Sequence, residues 1–344
     1  MIKEFLRHYI AGNWQPSSGA DTIEITDPAS GEAVARVTCG EPRDALAAAA
    51  AAKGAFANWS ALSLERRTEF VRQFGAALAS RKDALAQTIA SEVGTPLKIS
   101  QIVQVDSPIR NVDNFIQAAF ELDWERQIGN SRVVREPSGV VACITPWNFP
   151  LHQIVLKVVP ALLGGNTIVL KPSEMVPATN ELICEALHET GFPAGVINVV
   201  NGTGPVVGAC LATTELVDMV SFTGSTEAGK TVTAMAAATV KKVTTELGGK
   251  SPSLALPGAD LARAVKATLG SCMLNNGQTC SALTRLLVPA EQRAEVESLL
   301  RQEMAKLAVG PALAEGTRVG PLVSRRQSER AQQLIADGVA QGAV

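Results

Sequence analysis

The chain has no C-x-x-C pair. Its six cysteines, Cys39, Cys143, Cys184, Cys210, Cys272 and Cys280, are scattered, which argues against a disulfide framework and against a thiolate zinc site. Cys184 and His188 are spaced as two ligands on one helix would be. Two ligands do not make a site, and no metal is expected. Charge of one sign is also missing. A formal net charge of -2, with no run of like charge, gives no electrostatic reason to expect nucleic acid or an anionic membrane as partner. There is no long apolar run. Ala47 to Ala52 ends at Lys53, is far too short to span a bilayer, and reads as helix. The segment Met1 to His8 carries charges where a signal peptide needs its apolar stretch. A cytoplasmic protein is the simplest expectation. What the chain does have is 344 residues, 46% of them hydrophobic, which is material for two domains or one large one.

The pattern changes along the chain. The first ~35 residues hold short β-like pieces such as Thr22–Ile25, with turn signals at Asp27-Pro28 and Ser30-Gly31. Helical periodicity then predicts Asp44–Trp59, Leu64–Ala79, Lys82–Val93 and Leu97–Phe120. Arg132–Pro137 and Gly139–Ile144 read as two strands joined through Pro-Ser-Gly. From there strand and helix alternate. The strands are Thr167–Leu170, Val196–Val200, Leu216–Ser221, Lys242–Glu246 and Ser253–Leu256. The helices between them are His152–Leu163, Ala178–Thr190, Val206–Ala212 and Ala228–Ala237. That alternation predicts βαβ units and a parallel sheet covered on both faces. A further α/β stretch follows, with helix Leu261–Leu274, strand Thr284–Val288, and helices Glu291–Lys306 and Ser324–Ala340. With one or two strands it reads as an incomplete domain.

Chemistry concentrates at strand ends. Thr244-Thr245-Glu246-Leu247-Gly248-Gly249 offers a carboxylate before a Gly-Gly turn, and Asn275-Asn276-Gly277-Gln278-Thr279-Cys280 offers a thiol after a polar stretch. A thiol that attacks a carbonyl and a carboxylate that activates water can make and hydrolyse a thioester. Partial burial of Glu246 between Val243, Leu247 and Gly-Gly would raise its pKa and suit it as a base; a surface glutamate at a strand end fits equally well. Burial is the default for any cysteine, and a pairing with His152 would need the fold to bring it close. Thr223 to Gly229 is a Gly-containing strand-to-helix turn that can present N–H groups to a phosphate, or be an ordinary capped turn. Lys171 and Glu174 end another strand, as a ribose-binding pair or a solvated loop. In Thr145-Pro146-Trp147-Asn148-Phe149-Pro150, Asn148 can donate to an oxyanion, or the two prolines simply fix a turn.

Taken in order, Pro-Trp-Asn-Phe-Pro, Lys-Pro-Ser-Glu, Phe-Thr-Gly-Ser-Thr-Glu-Ala-Gly, Glu-Leu-Gly-Gly-Lys-Ser-Pro and Asn-Asn-Gly-Gln-Thr-Cys resemble the aldehyde dehydrogenase superfamily. So does Gly320-Pro321-Leu322-Val323-Ser324. The resemblance runs from Asn13-Trp14 to the end. It implies an α/β fold with a Rossmann-like parallel-sheet cofactor domain over residues 1–118 and 138–248. Residues 119–137 would be part of an oligomerisation hairpin, Arg132–Pro137 having no partner strand, and 249–344 an incomplete catalytic domain. It implies Cys280 as nucleophile, Glu246 as base and Asn148 as oxyanion donor. It assigns NAD as cofactor, with contacts from Ile144, Trp147, Lys171, Glu174, Gly204, Gly224, Ser225, Gly229 and Leu247, and no metal. The implied reaction is oxidation of a small-molecule aldehyde to the acid through a Cys280 thioester, in a homodimer or homotetramer. Family chains continue past this point, with a Glu-x-Phe-Gly-Pro segment and the rest of the catalytic domain, so the chain is expected to be C-terminally truncated. The alternatives are acyl transfer to coenzyme A, a thiol esterase without nicotinamide, and a non-catalytic fragment.

Overall fold

The structure is a computed structural model that describes residues 2–343. Five short strands come first: β1 (Lys3–Phe5), β2 (Arg7–Ile10), β3 (Asn13–Pro16), β4 (Thr22–Thr26) and β5 (Ala33–Thr38). Helices α1 (Pro42–Ser60), α2 (Leu64–Ala79), α3 (Lys82–Val93), α4 (Leu97–Ile99) and α5 (Ser107–Glu121) follow, with a π-helical stretch at Ser100–Asp106 between the last two. Next come β6 (Glu125–Ile128), β7 (Ser131–Val134), β8 (Val140–Ile144), α6 (Pro150–Leu163), β9 (Thr167–Lys171), α7 (Pro177–Thr190) and β10 (Ile197–Val199). A π-turn Gly204–Gly208, α8 (Ala209–Thr213), β11 (Met219–Gly224), α9 (Thr226–Ala237) and β12 (Lys242–Leu247) complete the middle of the chain. The last part holds β13 (Pro252–Leu254), α10 (Leu261–Cys272), β14 (Arg285–Leu287), α11 (Arg293–Met304) and α12 (Arg325–Ala340).

The chain forms two compact units. The first comprises Met1–Ile25, Val34–Ala86 and Gln101–Leu247. Its frame is a seven-stranded sheet in the order β12-β11-β8-β9-β10-β2-β3. Strands β12 to β10 in that order run parallel, and the β2–β3 hairpin adds antiparallel to β10. The two central strands, β8 and β9, are buried at every position, as expected of parallel strands packed on both faces. Two predicted strands turn out to lie in different sheets. β8 joins the large sheet, while β7 pairs antiparallel with β6. The partner strand that the sequence reading found missing is therefore present: it is Glu125–Ile128, directly upstream. Charged residues on both strands hid its β character.

Helix α1 shows how the Ala run is used. Glu41 and Asp44 cap it reciprocally, and Pro42 fills its first turn, where a missing N–H costs nothing. Ala45, Ala48, Ala49 and Ala52 form its buried stripe. Small side chains let the helix lie close on the sheet, and Thr167 Oγ1 donates to Ala52 O at 2.9 Å. Asp44 also faces His8, whose Nε2 stands 3.2 Å from Asp44 Oδ2. His8 Nδ1 accepts the Asn201 N–H at 3.2 Å, so the imidazole proton sits on Nε2.

The second unit comprises Thr26–Ala33, Gln87–Ser100 and Gly248–Val344. β13 and β14 pair in parallel, and α10 packs on α11 through Leu261, Val265 and Val296. The segment 87–100 precedes this unit's main part in sequence yet clusters with it.

Candidate functional site

In the first unit the sheet reverses its order at β8. From β8 the chain steps to β9 and β10 on one side, then returns to place β11 and β12 on the other. Connections leaving β8 and β11 must therefore part in opposite directions, which opens a crevice at the strands' carboxyl ends. Register sets what lies there. Ile144 stands opposite Lys171 on β9 and Phe222 on β11. Thr223 stands opposite Glu246, and Gly224 opposite Leu247. The β8–α6 connection carries Thr145 to Phe149, and the β11–α9 turn carries Gly224 and Ser225.

That turn is a helix N-terminus. Ser225 caps α9, its Oγ accepting the Ala228 N–H at 3.3 Å and its carbonyl the Gly229 N–H at 2.9 Å. A Cβ on Gly229 would lie 2.6 Å from Leu247 Cδ2, so the absence of a side chain there lets α9 approach β12. Lys171 is buried and its Nζ donates to Glu174 Oε2 at 2.9 Å. The π-turn Gly204–Gly208 follows β10, with Gly204 exposed. Two buried hydroxyls at the same sheet end, Thr145 Oγ1 and Thr223 Oγ1, have no partner among the described residues. Buried polar groups are normally paired, so these two, the helix N-terminus and the Lys171–Glu174 pair fit a polar ligand bearing phosphate and hydroxyl groups.

All the site residues predicted from the sequence between 144 and 247 thus come to the carboxyl end of one sheet. Of the two placements open for Glu246, the surface one is found: it is exposed, because β12 is the edge strand and its side chains largely face outward. Sequence reasoning missed Lys157. It is buried on α6 and donates to Ser221 Oγ at 3.1 Å, which also accepts from Thr244 Oγ1 at 3.2 Å. Burial lowers its pKa, against the opposing pull of Cys143 and Glu246. It also missed Gln104, whose Nε2 donates to Asn148 O at 2.9 Å.

Cys280 belongs to the second unit and is exposed. The residues before it form a tightly bonded loop. Asn275 and Asn276 both adopt left-handed backbone, with φ of 53° and 60°. Asparagine tolerates this better than most residues. Asn276 Nδ2 donates to Gly94 O at 2.8 Å and Pro321 O at 2.9 Å, while its Oδ1 accepts the Gly320 N–H at 2.6 Å. Gln278 Oε1 accepts the Val323 N–H at 2.9 Å, and Thr95 Oγ1 donates to Asn275 Oδ1. The polar letters of this motif are thus the framework of the thiol loop, and Gly320 to Val323 is the strand of chain it is tied to. Among the described residues, no group of three or more His, Cys, Asp or Glu could hold a metal, and all six cysteines are free. No helix among them is long and apolar enough to cross a membrane.

A carboxyl-end crevice in a Rossmann-like sheet in one unit, and an exposed thiol on a buttressed loop in the other, define a class: an α/β protein with dinucleotide-type architecture and a candidate nucleophile. Comparison with known proteins makes it specific. The profile of the aldehyde dehydrogenase family matches residues 14–344. A 3-succinoylsemialdehyde-pyridine dehydrogenase of a Pseudomonas species is 43% identical, over 99% of this chain and 72% of its own length. The fold is similar to that of aldehyde dehydrogenase C from Pseudomonas syringae, solved as a cysteine-to-alanine mutant with NAD+ and octanal. There the TM-score is 0.95 at 41% identity, covering 98% of this chain and 70% of that one. An aldehyde dehydrogenase from Bartonella henselae gives a TM-score of 0.96 at 36% identity, covering 100% and 73%. The chain belongs to the aldehyde dehydrogenase family, and so to a family of oxidoreductases.

Proposed function

We propose that the protein oxidises an aldehyde to its carboxylic acid with NAD as hydride acceptor. The first unit is then the cofactor domain and the second the nucleophile-bearing part. The observation that carries the reading is the helix N-terminus at Ser225, set beside the Lys171–Glu174 pair and two unpartnered buried hydroxyls at one sheet end. The α9 N-terminus suits the pyrophosphate, with Gly224, Ser225, Trp147 and Gly204 around it and Ile144 and Leu247 as apolar walls. Lys171 and Glu174 suit the adenosine ribose hydroxyls, the carboxylate disfavouring a 2′-phosphate.

Cys280 attacks the aldehyde carbon as thiolate and the carbonyl electron pair moves to oxygen. The Asn148 side-chain amide and the Cys280 backbone N–H donate to that alkoxide, where charge develops. Bound NAD supplies the acceptor for the hydride, which leaves a thioester on Cys280. Glu246 takes a proton from water as the water attacks the thioester, and the acid departs with the Cys280 thiolate as leaving group.

The test is NADH formation followed by absorbance. The aldehyde panel includes an aliphatic aldehyde such as octanal and a pyridyl semialdehyde, the chemistries named for the similar proteins. Cys280→Ser should abolish the first-turnover burst. Glu246→Gln should keep the burst and slow steady turnover by on the order of 10²-fold or more. Steady turnover near wild type would remove Glu246 from the mechanism, and stimulation by coenzyme A would favour a thiol acceptor over water. We also propose a homodimer or homotetramer assembled through the β6–β7 hairpin, which is exposed along its whole length.

A further inference from the structure

The loop that carries Asn148 is not placed by regular structure. β8 ends at Ile144 and α6 starts at Pro150. Two prolines, Pro146 and Pro150, remove backbone donors around it. Phe149, the residue before the helix, has φ -134° and ψ 67°, outside helix and strand alike. The Asn148 carbonyl lies ahead of the helical ladder, so its hydrogen bond has to come from elsewhere. It comes from Gln104, fully buried, whose Nε2 donates to Asn148 O at 2.9 Å.

Gln104 owes its position to an irregular helix. It sits in the π-helical stretch Ser100–Asp106, and Pro108 follows it by four residues. In an α-helix the carbonyl of Gln104 would receive the N–H of residue 108. Proline has no N–H, and its ring collides with the carbonyl four residues back. A wider turn relieves the collision, and single π-turns in otherwise α-helical segments cluster at functional sites. One inserted residue rotates everything upstream of Pro108 by about 100° relative to α5. The sequence Gln104-Val105-Asp106-Ser107-Pro108 therefore sets the direction in which the Gln104 side chain leaves the helix.

We propose that Gln104 is a positioning residue for the oxyanion donor: it fixes the Asn148 backbone, and through it the Asn148 side-chain amide. The inference rests on the role of Asn148 proposed above. Loss of the Gln104 donor lets the Asn148 peptide rotate toward another donor and carries the side-chain amide off the alkoxide position. Displacements of this size cost up to about 10²-fold in rate.

A double-mutant cycle on the full chain tests it, reading the burst rate of NADH formation, KM for NAD and the melting temperature. The variants are Gln104→Met, which keeps length without the donor, Asn148→Ala, and both together. Gln104→Met should lower the burst rate by about 10- to 100-fold, with KM for NAD within about twofold of wild type. In the Asn148→Ala background the same change should have almost no further effect, because the group being positioned is gone. Independent, multiplying losses would overturn the positioning role, as would a Gln104→Met burst near wild type. If Asn148→Ala itself keeps the full burst rate, the proposed oxyanion role fails instead, which separates the two ideas. If Gln104→Met melts early, Gln104→Lys supplies a donor of similar reach. Recovery of the burst there supports positioning, and a burst as slow as that of Gln104→Met overturns it.

Discussion

His8 and Asp44 illustrate how a single pair can tie pH to stability. Burial lowers the His8 pKa, with Asp44 pulling the other way. Burial would raise Asp44, but the Glu41 and Ser18 hydrogen bonds and His8 outweigh it, and its pKa is lowered. An imidazole held below its ordinary value of 6.5 contributes stability that is complete above that pH and is lost as the pH falls, because the unfolded chain takes up the proton first. The Asp44 contribution is present above the ordinary 3.8 and fades as pH drops further, through its lowered folded value. Both act in the same direction. The melting temperature should therefore fall from pH 7 to pH 5, and His8→Gln should flatten that part of the curve. An unchanged slope in the variant would exclude His8 as the source. Residue legibility differed sharply by type. Cys280, Glu246 and Asn148 stand inside contiguous motifs, so each could be singled out from sequence as a candidate. Gln104 and Lys157 could not, because their partners lie 44 and 64 residues away, and a lone Gln or Lys on a helix carries no local signal.

At the scale of elements, the thiol loop depends on a crossing of two backbones. Gly94 has φ +81°, and a Cβ there would lie 2.3 Å from Pro321 O. Gly94→Ala meets both the conformational and the steric penalty, and the neighbour is backbone that cannot simply swing away. Unfolding midpoints in denaturant should drop by the equivalent of about 1–3 kcal/mol. Gly31→Ala, with φ +75° and nothing within 4 Å, isolates the conformational part and should cost less. Most helices were readable from their periodicity, and α2 and α3 fall where the pattern placed them. The predicted helix Leu97–Phe120 was readable only in outline, since its π-helical interruption arises from a proline acting four residues upstream. The strand placed at Leu216–Ser221 begins instead at Met219 and runs to Gly224. Leu216 and Val217 are apolar because they pack on the core as a turn, not because they lie in the ladder.

For the whole molecule, the α/β class was readable from alternation, but the strand order was not. Alternation alone does not say on which side of β8 the chain returns, and that choice makes the crevice. The β2–β3 extension of the sheet was also hidden, because four-residue strands are too short for periodicity to declare itself. Assembly gives a further prediction. The β6–β7 hairpin exposes Ile128, Val133 and Val134, and an exposed two-stranded ribbon is marginal by itself. Sedimentation should find a dimer or tetramer, and Val134→Asp should shift it to smaller species. A monomeric wild-type chain would rule the hairpin out as the assembly element.

The bonds around Asn276 also bear on how the protein ages. Asn276 is followed by Gly277, the pairing most prone to self-cleavage of the side-chain amide, since an unhindered glycine nitrogen can attack the asparagine carbon. In a loose chain this would convert the residue to aspartate or isoaspartate and release ammonia. Here both ends of the Asn276 amide are held by Gly94, Pro321 and Gly320, and the attack geometry is withheld. The contacts that shape the thiol loop thus also act as its preservative, and each excursion to an unfolded state exposes the loop to irreversible chemical damage.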